Sequence, residues 1–379
     1  MRITNIHAVP ISFRVPEGQN VRLGIGRAVK RDSVLIKVET DEGLVGWGEA
    51  HHGRCPGAIA KLIDTTLSEL VVGMDPLDVV GVWGKVYRMQ LASHGMGAAA
   101  AMALSGLDIA LWDIRGKATN QPIYRLLGGA IRPIKAYAGG IALGWQDPSS
   151  LAQEAQKHVA DGYRALKLRV GDTVKRDIAR VEAVRDAVGD DIEILVDANT
   201  SYSLDDARRV LPAFSDASVG WLEEPFPPHD HFNYLEAARF GMVPLAAGEN
   251  HFTRFEFTQA LTSGMLGFVQ PDLSKAGGIT ETMRIAHLAS AWKISVNPHT
   301  SATGINMVAT LHLLSSVDNP GFFEGDVTIY NPFRDNLVGE PYKLDANGCV
   351  QVKDGVGLGV DVDEKFLAAH PLIDGPCYV

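Results

Sequence analysis

Between about Pro133 and Tyr330, short apolar runs alternate with longer amphipathic stretches, a rhythm that predicts strands separated by helices. The runs are IKAY (134–137), ALKLR (165–169), EILVD (193–197), GWLEE (220–224), PLAAG (244–248), GFVQPD (267–272), ISVNPH (294–299) and GFFE (321–324). Between the first two, Asp147 and Pro148 give a helix start and Gly162 a stop. Parallel strands with helical crossovers, eight in number, make a TIM-type α/β barrel. An open doubly wound sheet would want a Gly-rich phosphate turn after an early strand, and the chain has none.

The flanks read differently. Up to Glu49 the pattern is a strand, a Gly-rich loop (Val15 to Arg31) and two alternating strands around Asp41–Gly43, an antiparallel hairpin. From about Gly57 to Leu127 it is helical, interrupted at Pro76 and at 95–97. After Asn331 short strands and turns return, with a hairpin signal at Asn347–Gly348. The expected organisation is an α+β domain over 1–130, a barrel over 131–330, and a segment 331–379 that packs back on the first domain.

Composition narrows the function. A net charge of −10 argues against nucleic acid or an anionic membrane as partner. The longest apolar run, Gly95 to Trp112, contains Ser105 and Asp108 and reads as a buried helix. Met1 to Val9 alternates like a strand, unlike a signal peptide, so a cytoplasmic protein is expected. Cys55, Cys349 and Cys377 have no metal or redox spacing and fit a reducing compartment.

Polar residues recur at the predicted strand ends: Lys167 and Arg169, Asp197 and Asn199, Glu223 and Glu224, Glu249, Asp272, His299 and Glu324. Asp197, Glu223 and Glu249 are spaced 26 and 26 residues apart, one acid per βα unit. A single strand-end acid is more often a helix cap. Three hard oxygen donors at one mouth suit Mg²⁺, or Mn²⁺ in its place, rather than zinc. Lys167 and Arg169 share a strand face, and of the two only lysine can act as a base. The neighbouring arginine is expected to lower its proton affinity. His299 is a second candidate base, with Asp272 placed to accept its other ring N–H. Two bases flanking a divalent cation suit removal of a proton beside a carboxylate, with the charge of the enolate stabilised.

These features resemble the enolase superfamily, and within it the mandelate racemase subgroup. The resemblance spans essentially the whole chain, through ALWDIRGK (110–117), PIYRLLGG (122–129), KLR (167–169), VDAN (196–199), WLEEP (221–225), GEN (248–250), PDLSKAGG (271–278), NPH (297–299) and FFE (322–324). It implies a modified (β/α)7β barrel with a capping domain and oligomers from dimer to octamer. It also implies Asp197, Glu223 and Glu249 as Mg²⁺ ligands, Lys167 and the His299–Asp272 pair as acid/base catalysts, and Glu324 on the substrate carboxylate. Asn199 and Glu224 look like supporting or substrate-contacting groups, and Lys275 structural. Many relatives carry lysine where Arg169 stands; a guanidinium there is expected to clamp a substrate carboxylate. By analogy, the loop Val15 to Arg31 and the segment after Glu49 close over the mouth. They would bring Arg22, Arg27, His51, His52 and Arg54 to an acidic, hydroxylated substrate, with Tyr137 a further candidate. The subgroup is populated mostly by acid-sugar dehydratases. Dehydration of an aldonate or aldarate to a 2-keto-3-deoxy acid is therefore the first expectation. A 2-hydroxy-acid racemase or epimerase, or a sugar-lactone cycloisomerase, to which NPFR (331–334) is similar, is the second, and a non-catalytic sugar-acid binder the third.

Overall fold

The computed structural model describes residues 1–300 and 302–379. Three long strands, β1 (Ile3–Arg14), β4 (Lys30–Thr40) and β5 (Val45–Ala50), form an antiparallel sheet in the order β1–β4–β5. Between β1 and β4 lies a small hairpin of β2 (Arg22–Leu23) and β3 (Gly26–Arg27). Helices α1 (Pro56–Leu62), α2 (Ser68–Val71), α3 (Val79–Val86), α4 (Ala98–Thr119) and α5 (Ile123–Leu126) cover the sheet. The apolar run around Leu104 is the buried body of α4, which lies on β5. Gly46 and Gly48 permit that approach, since a Cβ on either would overlap the carbonyl of Ala110 or Gly106.

The rest of the α/β rhythm is a barrel. Its strands are β6 (Ile134–Gly139), β7 (Ala165–Arg169), β8 (Glu193–Asp197), β9 (Val219–Glu223), β10 (Leu245–Ala247), β11 (Phe268–Val269), β12 (Ser295–Val296) and β13 (Phe323–Asp326). They run parallel in the order β12–β11–β10–β9–β8–β7–β6–β13. Val296 bonds to the backbone of Asn319 and Gly321, just before β13, which brings the two sheet ends together. Helices α6 (Pro148–Ala160), α7 (Val174–Val188), α8 (Leu204–Asp216), α9 (His231–Ala238), α10 (Thr253–Thr262), α11 (Gly278–Ala291) and α12 (Gly304–Leu314) are the crossovers. Inside, Tyr137, Ala165, Leu195, Trp221 and Ala246 form a packed layer, with the Tyr137 and Trp221 rings edge to face at 5.8 Å.

Two expectations change. Strands β10 to β12 are shorter than the apolar runs, so Glu249, Asp272 and His299 stand on the loops after them. Pro271 and Pro298 have no N–H to give the ladder, and Gly248, at φ 152°, turns the chain where a Cβ would strike Gln270. The C-terminal segment, with α13 (Pro332–Asp335), β14 (Cys349–Val350) and α14 (Glu364–Ala369), packs first on the barrel, where β14 pairs antiparallel with β6. It reaches the capping domain afterwards: Leu358 donates to Asp113, Pro371 pairs with Ile11, and Tyr378 with Ala28. No helix among the described residues is long and apolar enough to cross a membrane.

Candidate active site

Period-two alternation puts Lys167 and Arg169, Asp197, and Glu223 on the inner face of β7, β8 and β9, while Leu166, Leu168, Ile194, Val196 and Leu222 join the surrounding core. Asp197, Glu223 and Glu249 each offer an oxygen within 4.8 Å of the others. Cationic side chains neighbour these acids. Lys167 Nζ donates to Glu223 at 2.8 Å and stands 3.6 Å from Asp197 and 3.1 Å from Glu324. Arg169 donates to Asp197 and, at 2.5 Å, to the Gly140 carbonyl. Glu223 also accepts from Gln270 at 2.7 Å and Trp221 at 3.2 Å. Burial, and then Asp197, push its carboxyl up to about 7.

The electrostatics of Lys167 run against expectation. Burial lowers its proton affinity and Arg169 lowers it further, yet Glu223 and Glu324 outweigh both, and the ammonium is held well above its usual range. The opposite wall carries the pair read from sequence. His299 Nδ1 lies 2.7 Å from Asp272 and Nε2 3.2 Å from Glu249. Burial depresses the imidazole, but Glu249, Glu324 and Asp272 together raise it. Asp272 accepts as well from the Ser274 amide and hydroxyl and from Asn306 Nδ2 at 3.0 Å. Glu324 accepts from the amides of Gly140 and Thr300, and despite burial Lys167 and His299 hold it down at about 2.

Beside these groups lies one cavity of about 180 Å³, lined largely by polar side chains and suited to a small polar molecule. Arg169, Asn199, Glu224, Glu249, Lys275, His299 and Thr300 line it from the barrel, and Lys167 lies beneath. Three buried atoms on this wall, Asn199 Oδ1, Glu224 Oε1 and Arg169 Nε, have no hydrogen-bond partner in the described chain, as expected where a ligand completes the shell. The acid triad, all hard oxygen donors, fits Mg²⁺.

From the capping side come His51, His52 and Arg54, as the sequence suggested, together with Leu23, Ile25 and Arg31. Burial pushes His52 down to about 4 and lowers His51 well below its usual range, which disfavours a charge on either ring. Three expectations fail. Arg22 and Arg27 are exposed and border a separate surface hollow near Trp145, because they form one cross-strand pair of a hairpin whose opposite side, Leu23, faces the mouth. Tyr137 is fully buried in the barrel's packed layer, since β6 continues two residues past it. Lys275, read as structural, is on the cavity wall with its ammonium 3.4 Å from Glu249. Sequence reasoning missed Cys377 and Tyr378, which reach the mouth from the chain's far end with no local motif to mark them.

Residues 9–128 match the model of the mandelate racemase/muconate lactonizing enzyme N-terminal domain, and residues 150–366 that of the enolase C-terminal domain-like family. This chain belongs to the mandelate racemase/muconate lactonizing enzyme family of the enolase superfamily. As an enzyme of that family it is 33% identical, over 91% of its length and 93% of the relative's, to D-galactarolactone cycloisomerase of Agrobacterium fabrum. It is also 33% identical, over 87% and 88% of the two chains, to arabinonate dehydratase of Saccharolobus solfataricus. An enolase-superfamily member from Polaromonas sp. JS666 superposes over the whole of both chains with TM-score 0.98 and 54% identity. A racemase from Streptomyces coelicolor A3(2) with bound magnesium, 28% identical, superposes with TM-score 0.88 over 98% and 99%.

A second group of donors needs separate treatment. Asp32, His52 and Cys377 also converge within 4.8 Å. Here Lys30 Nζ, 3.1 Å from Asp32, already supplies the positive charge, and His52 Nδ1 accepts from the Arg54 amide, so the group is satisfied within the chain.

Proposed function

We propose that this superfamily member is a Mg²⁺-dependent acid-sugar dehydratase, removing the proton beside the carboxylate of an aldonate or aldarate and expelling the β-hydroxyl as water. The observation that carries the reading is the clustering of three acids, Lys167 and the His299–Asp272 pair, with Glu249 and His299 of that cluster lining one small cavity. Asp197, Glu223 and Glu249 would hold the cation. Bound there, it would draw charge from the substrate carboxylate and engage acids now paired with Lys167 and Arg169. Asp272 fixes the His299 tautomer by accepting from Nδ1, which leaves Nε2 to exchange a proton at the cavity wall. Its acidic neighbours favour the protonated ring, from which His299 would protonate the departing hydroxyl. Lys167, whose ammonium Glu223 and Glu324 favour, would take the α-proton from the barrel floor once a cation held by Glu223 relieves that pull. Asn199, Glu224 and Arg169 carry unpaired atoms for substrate groups, and Glu324 completes the carboxylate site. His51 and His52, with Arg54, would meet the hydroxylated end.

Cycloisomerisation of a sugar lactone is the second reading, favoured by the likeness to the galactarolactone enzyme. NPFR does not separate the two, because Asn331 caps α13 and ties Asp326, a local structural role. We also propose Mn²⁺ as a working substitute, a cytoplasmic homo-oligomer, and a small carboxylate as partner rather than nucleic acid or membrane. Screening mono- and diacid sugars and their lactones with Mg²⁺ for 2-keto acid tests this. Formation of a 2-keto-3-deoxy acid, abolished by chelator, is expected; lactone conversion without dehydration of any acid would replace this reading with the second.

A further inference from the structure

Strand β5 ends on a buried carboxylate with no cation partner among the described residues. Burial pushes Glu49 up to about 7, and an apolar side chain of similar size would avoid that desolvation cost. Its oxygens accept four hydrogen bonds. Oε1 takes the Ser33 hydroxyl at 3.0 Å and the Thr303 amide at 3.3 Å; Oε2 takes the Thr303 hydroxyl at 2.5 Å and the Asn306 amide at 3.0 Å. Three of the four come from the start of α12, the helix after the loop that bears His299. Asn306 then turns its side-chain amide to Asp272 at 3.0 Å, and Asp272 holds His299 at 2.7 Å. Two residues after Glu49, the His51 amide donates to the Ser274 carbonyl at 3.0 Å, gripping the Asp272 loop as well.

We infer that Glu49 is a positioning residue: from the capping sheet it fixes the α12 N-terminus and, through Asn306, the orientation of the Asp272–His299 pair. The inference rests on the proposed proton transfer by His299. A capping domain fastened this way does more than cover the mouth, since a shift of the segment 49–51 is felt at the proton-transfer group. Glutamine cannot replace Glu49 in either flip, because its NH₂ would face the backbone N–H of Thr303 or of Asn306.

The test uses full-length Mg²⁺-loaded protein and the sugar acid of the screen that exchanges its α-proton fastest in D₂O. Glu49→Gln is expected to lower kcat about 10–100-fold, with KM and Mg²⁺ affinity within about threefold. Asn306→Ala should match it, and the double variant should be no worse than the poorer single, because both act along one chain of contacts. Ser33→Ala, which removes only the capping-side donor, should stay within about threefold of wild type. Unchanged kcat in folded Glu49→Gln, losses that add fully in the double variant, or parallel losses in KM and Mg²⁺ binding would overturn the inference. If Glu49→Gln does not fold, Thr303→Val replaces it, with a smaller fall in kcat expected and no fall contradicting the claim. Turnover as fast in His299→Asn as in wild type would instead sink the proposed proton transfer by His299, and this inference with it.

Discussion

Lys167 concentrates the tension of the site, a buried ammonium among three carboxylates, two of which, Asp197 and Glu223, belong to the acid triad that fits a cation. Removing it leaves these acids uncompensated, so Lys167→Met should cost the metal-free protein about 3–5 kcal/mol, a loss that Mg²⁺ partly restores in thermal melts. Turnover should fall by about 10²–10⁴ in the same variant. Glu223 sets a pH dependence. Its folded carboxyl, raised to about 7, binds a proton that the unfolded chain has released above the ordinary 4.5, so its contribution to metal-free stability declines as pH rises through that window. Mg²⁺ must displace the same proton. Its apparent affinity, read by calorimetry, should therefore weaken toward pH 6 and level off above about pH 7 to 8. The types and faces of these residues were legible from strand periodicity. Their pairing was not, because sequence carries no distances: Arg169 looked like the stronger influence on Lys167 until Glu223 and Glu324 proved nearer the balance.

At the scale of elements, the hairpin β2–β3 is the piece least legible in the sequence. A two-residue strand has too little alternation to reveal its faces, so the sequence does not tell the outward arginines from the inward leucine. Arg22→Ala and Arg27→Ala should accordingly leave kcat/KM within about twofold, since surface changes remote from a site seldom matter. Longer elements were clearer: the apolar run of α4 and the alternation of β4 and β5 forecast their places. What sequence did not disclose was the closeness of α4 to β5, which depends on Gly46 and Gly48. Gly48→Ala should destabilise by about 1–3 kcal/mol or more through forced separation of helix and sheet, measured by denaturant unfolding.

For the whole molecule, the evenly spaced acids on successive βα units announced a barrel and its chemical end, because a repeating architecture converts sequence spacing into spatial level. Contacts between distant segments left no such trace. Cys377 and Tyr378 at the mouth, β14 on β6, and Glu49 on α12 join positions far apart in the chain. The central claim is that Lys167 and His299 move the proton beside a substrate carboxylate held with Mg²⁺. Its most direct measurement is deuterium incorporation at that carbon in D₂O, for wild type, Lys167→Ala and His299→Asn with and without Mg²⁺. Exchange in wild type that needs Mg²⁺ and is lost or strongly slowed in at least one variant is the predicted result; exchange undiminished in both variants, or in fully metal-free protein, would contradict it.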